Sequence, residues 1–159
     1  MPKSDNQKLK ILYILDYLER NSHVNHYVNA QELIRMLQGN GITCDRKTIY
    51  SDIRALQEYG VEIMSEPGKN GGYYIASRNF ETHELKLLID AVQSSRFLTE
   101  KKSQELIKKL CTQCNKEDAR LLTRTVMVSG RVKSMNDSIY NNVDYIQEAI
   151  AQNKQITFR

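Results

Sequence analysis

Apolar residues recur at helical spacing from early in this chain. Between 7 and 20, Ile11, Ile14, Leu15 and Leu18 stand at i, i+3, i+4 and i+7, which puts them on one face of a helix. Ala30, Leu33, Ile34 and Leu37 repeat that spacing in a second segment. Asn29 and Glu32 are suited to open it as N-cap and partner. The Gly-Asn-Gly of 39–41 breaks it. Asp45 is suited to cap a third helix over 45–59, with Ile49, Ile53 and Leu56 as its apolar stripe and Gly60 as its stop. Then the period shortens to two. Val61 and Ile63 alternate with Glu62, 67–72 is dense turn chemistry, and 73–77 is rich in strand formers, which together predict a β-hairpin.

Beyond Arg78 the pattern is helical again. Thr82 is expected to cap a helix with Leu85, Leu88, Ile89 and Val92 on one face. Thr99 is expected to cap another, carrying Leu106, Ile107 and Leu110. A shorter helix is predicted over 116–124 and an extended segment over 125–132. A last helix over 137–152 aligns Ile139, Val143, Ile146 and Ile150. Gln155 to Arg159 has the composition of a strand. No internal repeat and no low-complexity segment interrupts the series.

The third helix carries an unusual outer set: Arg46, Lys47, Tyr50, Ser51 and Arg54. A helix with charges opposite an apolar stripe is commonly just a solvated surface. Here the order of elements adds information. Three short helices followed at once by a Gly-rich hairpin is the order of a winged helix-turn-helix, whose third helix lies in the DNA major groove. Arginine reads guanine by two hydrogen bonds, while lysine and hydroxyls hold phosphate oxygens. On this reading the recognition helix 45–59 meets DNA through Arg46, Lys47, Thr48, Tyr50, Ser51 and Arg54. Arg46 is the expected base reader and Lys47 a phosphate contact. The wing, 61–77, lies on the backbone and adds Lys69 and Tyr74, with glycines 68, 71 and 72 allowing close approach. One of Tyr73 and Tyr74 is expected to pack inward.

The stretch RKTIYSDIRALQEYG at 46–60, followed by GGYYI at 71–75, resembles the winged-helix domain of DeoR-like transcriptional regulators that carry a WYL domain. The family pattern is a Thr-Ile-Tyr-Arg-Asp-Ile-type helix and a wing closing in Gly-Gly-Tyr. Thr48, Ile49, Tyr50, Asp52 and Ile53 match it, and Ser51 stands where the family usually has arginine. The resemblance continues more weakly through 80–113, similar to the family's helical linker. It returns in YIQEAIAQNKQITFR at 145–159, similar to the segment leading into the WYL domain. It implies a mainly α fold with a small β-hairpin: a winged helix-turn-helix over 1–78, a helical linker or dimerisation region over 79–136, and a helix and first strand of an incomplete sensor domain over 137–159. It also implies double-stranded DNA as partner, a homodimer, and an effector that the sequence does not name. The Trp-Tyr-Leu motif is absent, and the chain holds no Trp; the expectation is a truncated chain or natural fragment without its sensor.

Composition changes this picture little. Of 159 residues, 40% are hydrophobic and 26% charged, which fits an ordinary globular protein. Net charge is +4, with ten basic and nine acidic residues in 1–78. So weak a balance permits nucleic-acid binding without arguing for it. No apolar run is long enough for a membrane helix, and the N-terminus lacks a signal-peptide pattern, so the expected location is cytoplasmic. Three cysteines argue against a disulfide framework. Cys111 and Cys114 form a C-x-x-C, which is half a zinc site unless Cys44 and His83 complete it. Core packing is the favoured reading. His23 and His26 have no acidic or Cys partner nearby in sequence and read as a polar loop. No cofactor, metal site, phosphate loop or catalytic group is expected.

Two rivals stand beside the DNA-binding regulator. One is a winged-helix protein-interaction or scaffold module without specific DNA binding. The other is a nucleic-acid enzyme using the winged helix as a clamp, against which the lack of a carboxylate cluster speaks. Operator, effector, oligomeric state, and activator or repressor action are beyond the sequence.

Overall fold

The computed structural model describes residues 7–126, 133 and 138–157. The chain divides into two compact units. The first holds the N-terminal part to Glu81 together with Gln113–Ala119, and the second holds Thr82–Thr112 and the chain from Arg120.

A short 3₁₀ turn, Gln7–Leu9, leads into α1, Lys10–Asn21; α2, Ala30–Gly39, and α3, Arg46–Tyr59, follow. The expected caps form. The Asn29 side chain accepts from the Glu32 N–H at 2.9 Å, and the Asp45 side chain accepts from the Thr48 N–H at 2.8 Å. Both helices stop by the same device. Gly41 and Gly60 take left-handed φ values of 75° and 108°. The next residue then folds back, with the Ile42 N–H donating to the Leu37 carbonyl and the Val61 N–H to that of Leu56. β1, Ile63–Glu66, pairs antiparallel with β2, Gly72–Ile75, in a register that sets Ile63 opposite Ile75. The mainly helical fold with one hairpin is the winged-helix-like arrangement expected.

Every apolar stripe of the first three helices closes on one core. Ile14 and Leu18 meet Leu33, Leu37, Ile49, Ile53 and Leu56, and the hairpin adds Ile63 and Ile75. Burying each such side chain contributes about 1.5–3 kcal/mol. One charged pair lies within this packing: Lys10 Nζ is 2.9 Å from Asp52 Oδ2, with both side chains largely buried, and it ties α1 to α3. The hairpin is joined to the loop before α2. Tyr73 N–H donates to the Val28 carbonyl and Val28 N–H to that of Tyr73. Ser22 is buried and serves two elements, donating its hydroxyl to the Leu18 carbonyl and accepting from the Ile75 N–H. Gln113–Ala119 belongs to this unit through its polar groups: Lys116 Nζ donates to Asn21 Oδ1 at 2.9 Å, and Asn115 caps the helix that begins at Lys116.

The second unit holds α4, Thr82–Ser94, α5, Glu100–Cys111, most of α6, Lys116–Val126, and α7, Ser138–Ala151. Thr99 caps α5 as expected. Thr82 stands as the first residue of α4 rather than just before it. The inward face of α4 also differs from expectation: Leu85 and Ile89 are buried with Gln93, while Leu88 is exposed. On α5 only Ile107 of the three expected apolar residues is buried, beside Ser103. The Lys133 ammonium explains the polar company. It donates to the Val92 and Ser95 carbonyls and to the Ser103 hydroxyl at 2.9 Å. The extended segment expected over 125–132 is corrected at its start, since α6 carries helix through Val126; 127–132 lie outside the described residues. Gln155–Thr157 form no strand, because a strand needs a hydrogen-bonded neighbour and none pairs with them among the described residues.

Candidate nucleic-acid interface

The outer face of α3 follows from its inner one. With Ile49, Ile53 and Leu56 held in the core, Arg46, Lys47, Tyr50, Ser51 and Arg54 are left exposed. These residues divide into two stripes. Lys47, Ser51 and Arg54 stand at i, i+4 and i+7. Arg46 and Tyr50, at i and i+4, lie beside the hairpin.

The second stripe lines an open cleft of about 450 Å³, bounded by the start of α2, the flank of α3 and the hairpin turn. The structure therefore brings Arg46, Tyr50 and Lys69 together, from α3 and from the wing. Arg46 Nη2 donates to Gln31 Oε1 at 3.2 Å, a link across fifteen residues. Tyr73 forms part of the wall, and its ring is also packed against the core. Burial, with a smaller contribution from the nearby Tyr50, pushes its phenol up. Glu66 is the carboxylate on this wall.

The remaining candidates lie elsewhere. The Thr48 hydroxyl donates to Asp45 Oδ1 at 2.6 Å, so this side chain completes the helix cap. Those two hydrogen bonds from Thr48 hold the Asp45 carboxyl below its usual range. Tyr74 is half-buried, with its ring 5.5 Å from that of Tyr27 and apart from the cleft lining. The wing glycines also serve the fold itself. Gly68 has φ 124° at the turn. A Cβ on Gly71 would lie 2.0 Å from the Glu66 carbonyl oxygen, and one on Gly72 would lie 2.5 Å from that of Val28. These two glycines let the chain approach itself.

Gln31 and Tyr73 are among the cleft residues that the sequence does not point to for DNA. Tyr73 was one of two alternating candidates, and only the strand's orientation decides between them. The Gln31–Arg46 link has no local signal. The histidine loop holds a similar surprise. His23 and His26 stack with centroids 5.8 Å apart, and His23 Nε2 lies 3.0 Å from Glu117 Oε2, an acidic partner supplied ninety-four residues later. Cys44 is half-buried beside the core, and burial pushes its thiol up. Cys114 is buried, Cys111 is half-buried and His83 is exposed. No three His, Cys, Asp or Glu side chains gather at metal-binding distance among the described residues. No helix among them is long and apolar enough to cross a membrane.

The arrangement defines a winged-helix-like module. The family model of the FokI D3 domain matches residues 12–68, from α1 through α3 to the hairpin turn. No curated protein matches the chain. No solved structure matches it. The DeoR-like and WYL resemblance is not carried by these comparisons.

Proposed function

We propose that this chain is a sequence-specific double-stranded DNA-binding regulator of transcription, acting as a binding module rather than an enzyme. The observation that carries this reading is the exposed face of α3, where Lys47, Ser51 and Arg54 stand beside a cleft holding Arg46, Tyr50 and Lys69. On this reading α3 enters the major groove and the wing meets the backbone next to it. Similarity to the FokI D3 domain over residues 12–68 supports the same reading. The resemblance to DeoR-like regulators adds the finer parts of the proposal: action as a homodimer on two half-sites, in the cytoplasm, under an effector sensed by a WYL-type domain.

A second reading is a protein-interaction module. It is favoured by the weak charge of residues 1–78 and by two exposed apolar side chains, Tyr59 (85% exposed) at the end of α3 and Met64 on β1. Selection of bound duplexes from a random pool separates the two. The DNA-binding reading expects an enriched sequence whose affinity falls with salt, at a slope set by the number of phosphates contacted. No enrichment, with no salt-dependent retardation of any duplex, favours the protein-interaction module.

A further inference from the structure

The two outward stripes of α3 do not point the same way, and the difference bears on which arginine reads sequence. At about 100° per residue, Ile49, Ile53 and Leu56 centre the buried side, with Lys47 and Ser51 roughly 150–170° away and Arg54 roughly 130° away. On the same count Arg46 lies only roughly 50° from that centre and Tyr50 roughly 90°. Arg46 and Tyr50 therefore ride on the flank of the helix. A helix lying in the major groove turns its outermost stripe to the base edges and its flanks to the sugar-phosphate rim.

Four further observations agree. Gln31 holds the Arg46 guanidinium toward α2 through a 3.2 Å hydrogen bond. Arg46 shares the cleft with Lys69, which comes from the wing turn. At about 450 Å³ the cleft has room for a phosphate and parts of its two sugars. Arg46 and Lys69 outnumber the single carboxylate on its wall, that of Glu66, and the phenols of Tyr50 and Tyr73 can donate to phosphate oxygens.

We propose that the cleft between α3 and the wing seats one backbone phosphate of bound DNA, with Arg46 and Lys69 as its two cationic jaws, and that base reading belongs to Lys47, Ser51 and Arg54. This rests on the DNA-binding reading above and reassigns Arg46 from base reader to phosphate clamp. Gln31 is then a positioning residue for Arg46.

The test uses the full chain and a duplex selected by the wild type, with one phosphate at a time replaced by a neutral methylphosphonate. One replacement per bound chain should weaken wild-type binding roughly tenfold, the scale of one charge-assisted contact. Arg46→Ala should lose a similar factor on unmodified duplex, lower the salt slope by about 1, and become insensitive to that same replacement. Its preferred sequence should match the wild type's. Lys69→Ala should share the insensitivity, and Gln31→Ala should cost nothing further once Arg46 is alanine. Arg54→Ala, in contrast, should relax preference at a base pair. A relaxed base preference in Arg46→Ala, or full methylphosphonate sensitivity retained in it, overturns the inference while leaving DNA binding intact. A wild type that binds no duplex overturns both.

Discussion

The first unit closes its apolar faces on themselves, while the second leaves much of its apolar surface open. In the first, stripes from three helices and two strands converge, and Ile14, Leu18, Leu33, Leu37 and Ile49 are fully buried. In the second, Leu85, Ile89, Ile107 and Leu122 are buried, yet Leu87 is 68% exposed and Ile150 67% exposed. Both units show the same helical periodicity in sequence. The difference teaches that a 3.6-residue repeat identifies an amphipathic helix without naming what covers it. Coverage depends on neighbours, and the first unit gains them from tight turns that fold consecutive elements together.

That contrast can be broken most directly by paired truncations. Leu33→Ala or Ile49→Ala should cost about 2–5 kcal/mol in denaturant unfolding of the first unit. Leu87→Ala should stay within about 0.5 kcal/mol. Equal costs would mean that the exposed face of α4 is covered in solution. Next in size is the charged pair. Asp52→Ala leaves the Lys10 ammonium buried without its carboxylate and should cost about 3 kcal/mol. A double change to Lys10→Met and Asp52→Ala should recover part of that loss, measured by the same unfolding curves.

The caps allow a like-for-like test, since each unit has one at a helix start. Thr99→Ala in the second should cost about 1 kcal/mol, and Asp45→Ala in the first should destabilise its helix in the same direction. The Asp45 contribution also has a pH signature. Its folded carboxyl titrates lower than the free one, so its stabilisation is present above the usual carboxylate range and is lost as pH falls through the folded value. Asp45→Asn should remove that dependence, while Thr99 has none to remove. A cap that costs nothing in one unit would show that its helix frays there.

The smallest effect concerns Tyr17, which burial and then its hydrogen bond to Glu32 raise from 10.0 to about 12. The fold favours the protonated phenol, so this contribution is complete below pH 10 and is lost as pH rises through about 12. Phenolate absorbance should show Tyr17 titrating late, with Tyr73 also raised, and Glu32→Gln should bring the Tyr17 step earlier. An unchanged midpoint in Glu32→Gln would leave burial as the whole cause.

Much of the first unit was legible because its signals are local. Asn29, Asp45 and Gly60 act within a few residues of themselves, and they cap or stop helices where spacing placed them. The misreadings come where structure depends on distant groups. Gln93 and Ser103 take interior positions, Ser103 accepting from a lysine thirty residues further on, while Leu88 is exposed although its spacing suited the core. Gly72 was expected to serve an approach to DNA; its freedom is spent on the Val28 carbonyl, forty-four residues earlier. At the candidate site the exposed stripe of α3 could be read directly. The cleft could not, because Gln31, Arg46 and Lys69 meet only once the hairpin is docked beside α2.

That docking has a consequence for the entropy of recognition. A hairpin of two four-residue strands, left alone, samples many orientations, and ordering each backbone residue at a binding surface costs about 1–2 kcal/mol. Here the two hydrogen bonds between Val28 and Tyr73, at 2.9 and 2.8 Å, fix the base of the hairpin before any ligand arrives. The turn around Lys69 lies between the two strands, outside their paired residues. Association should therefore be rapid and nearly rigid-body, with adaptation confined to a tip a few residues long.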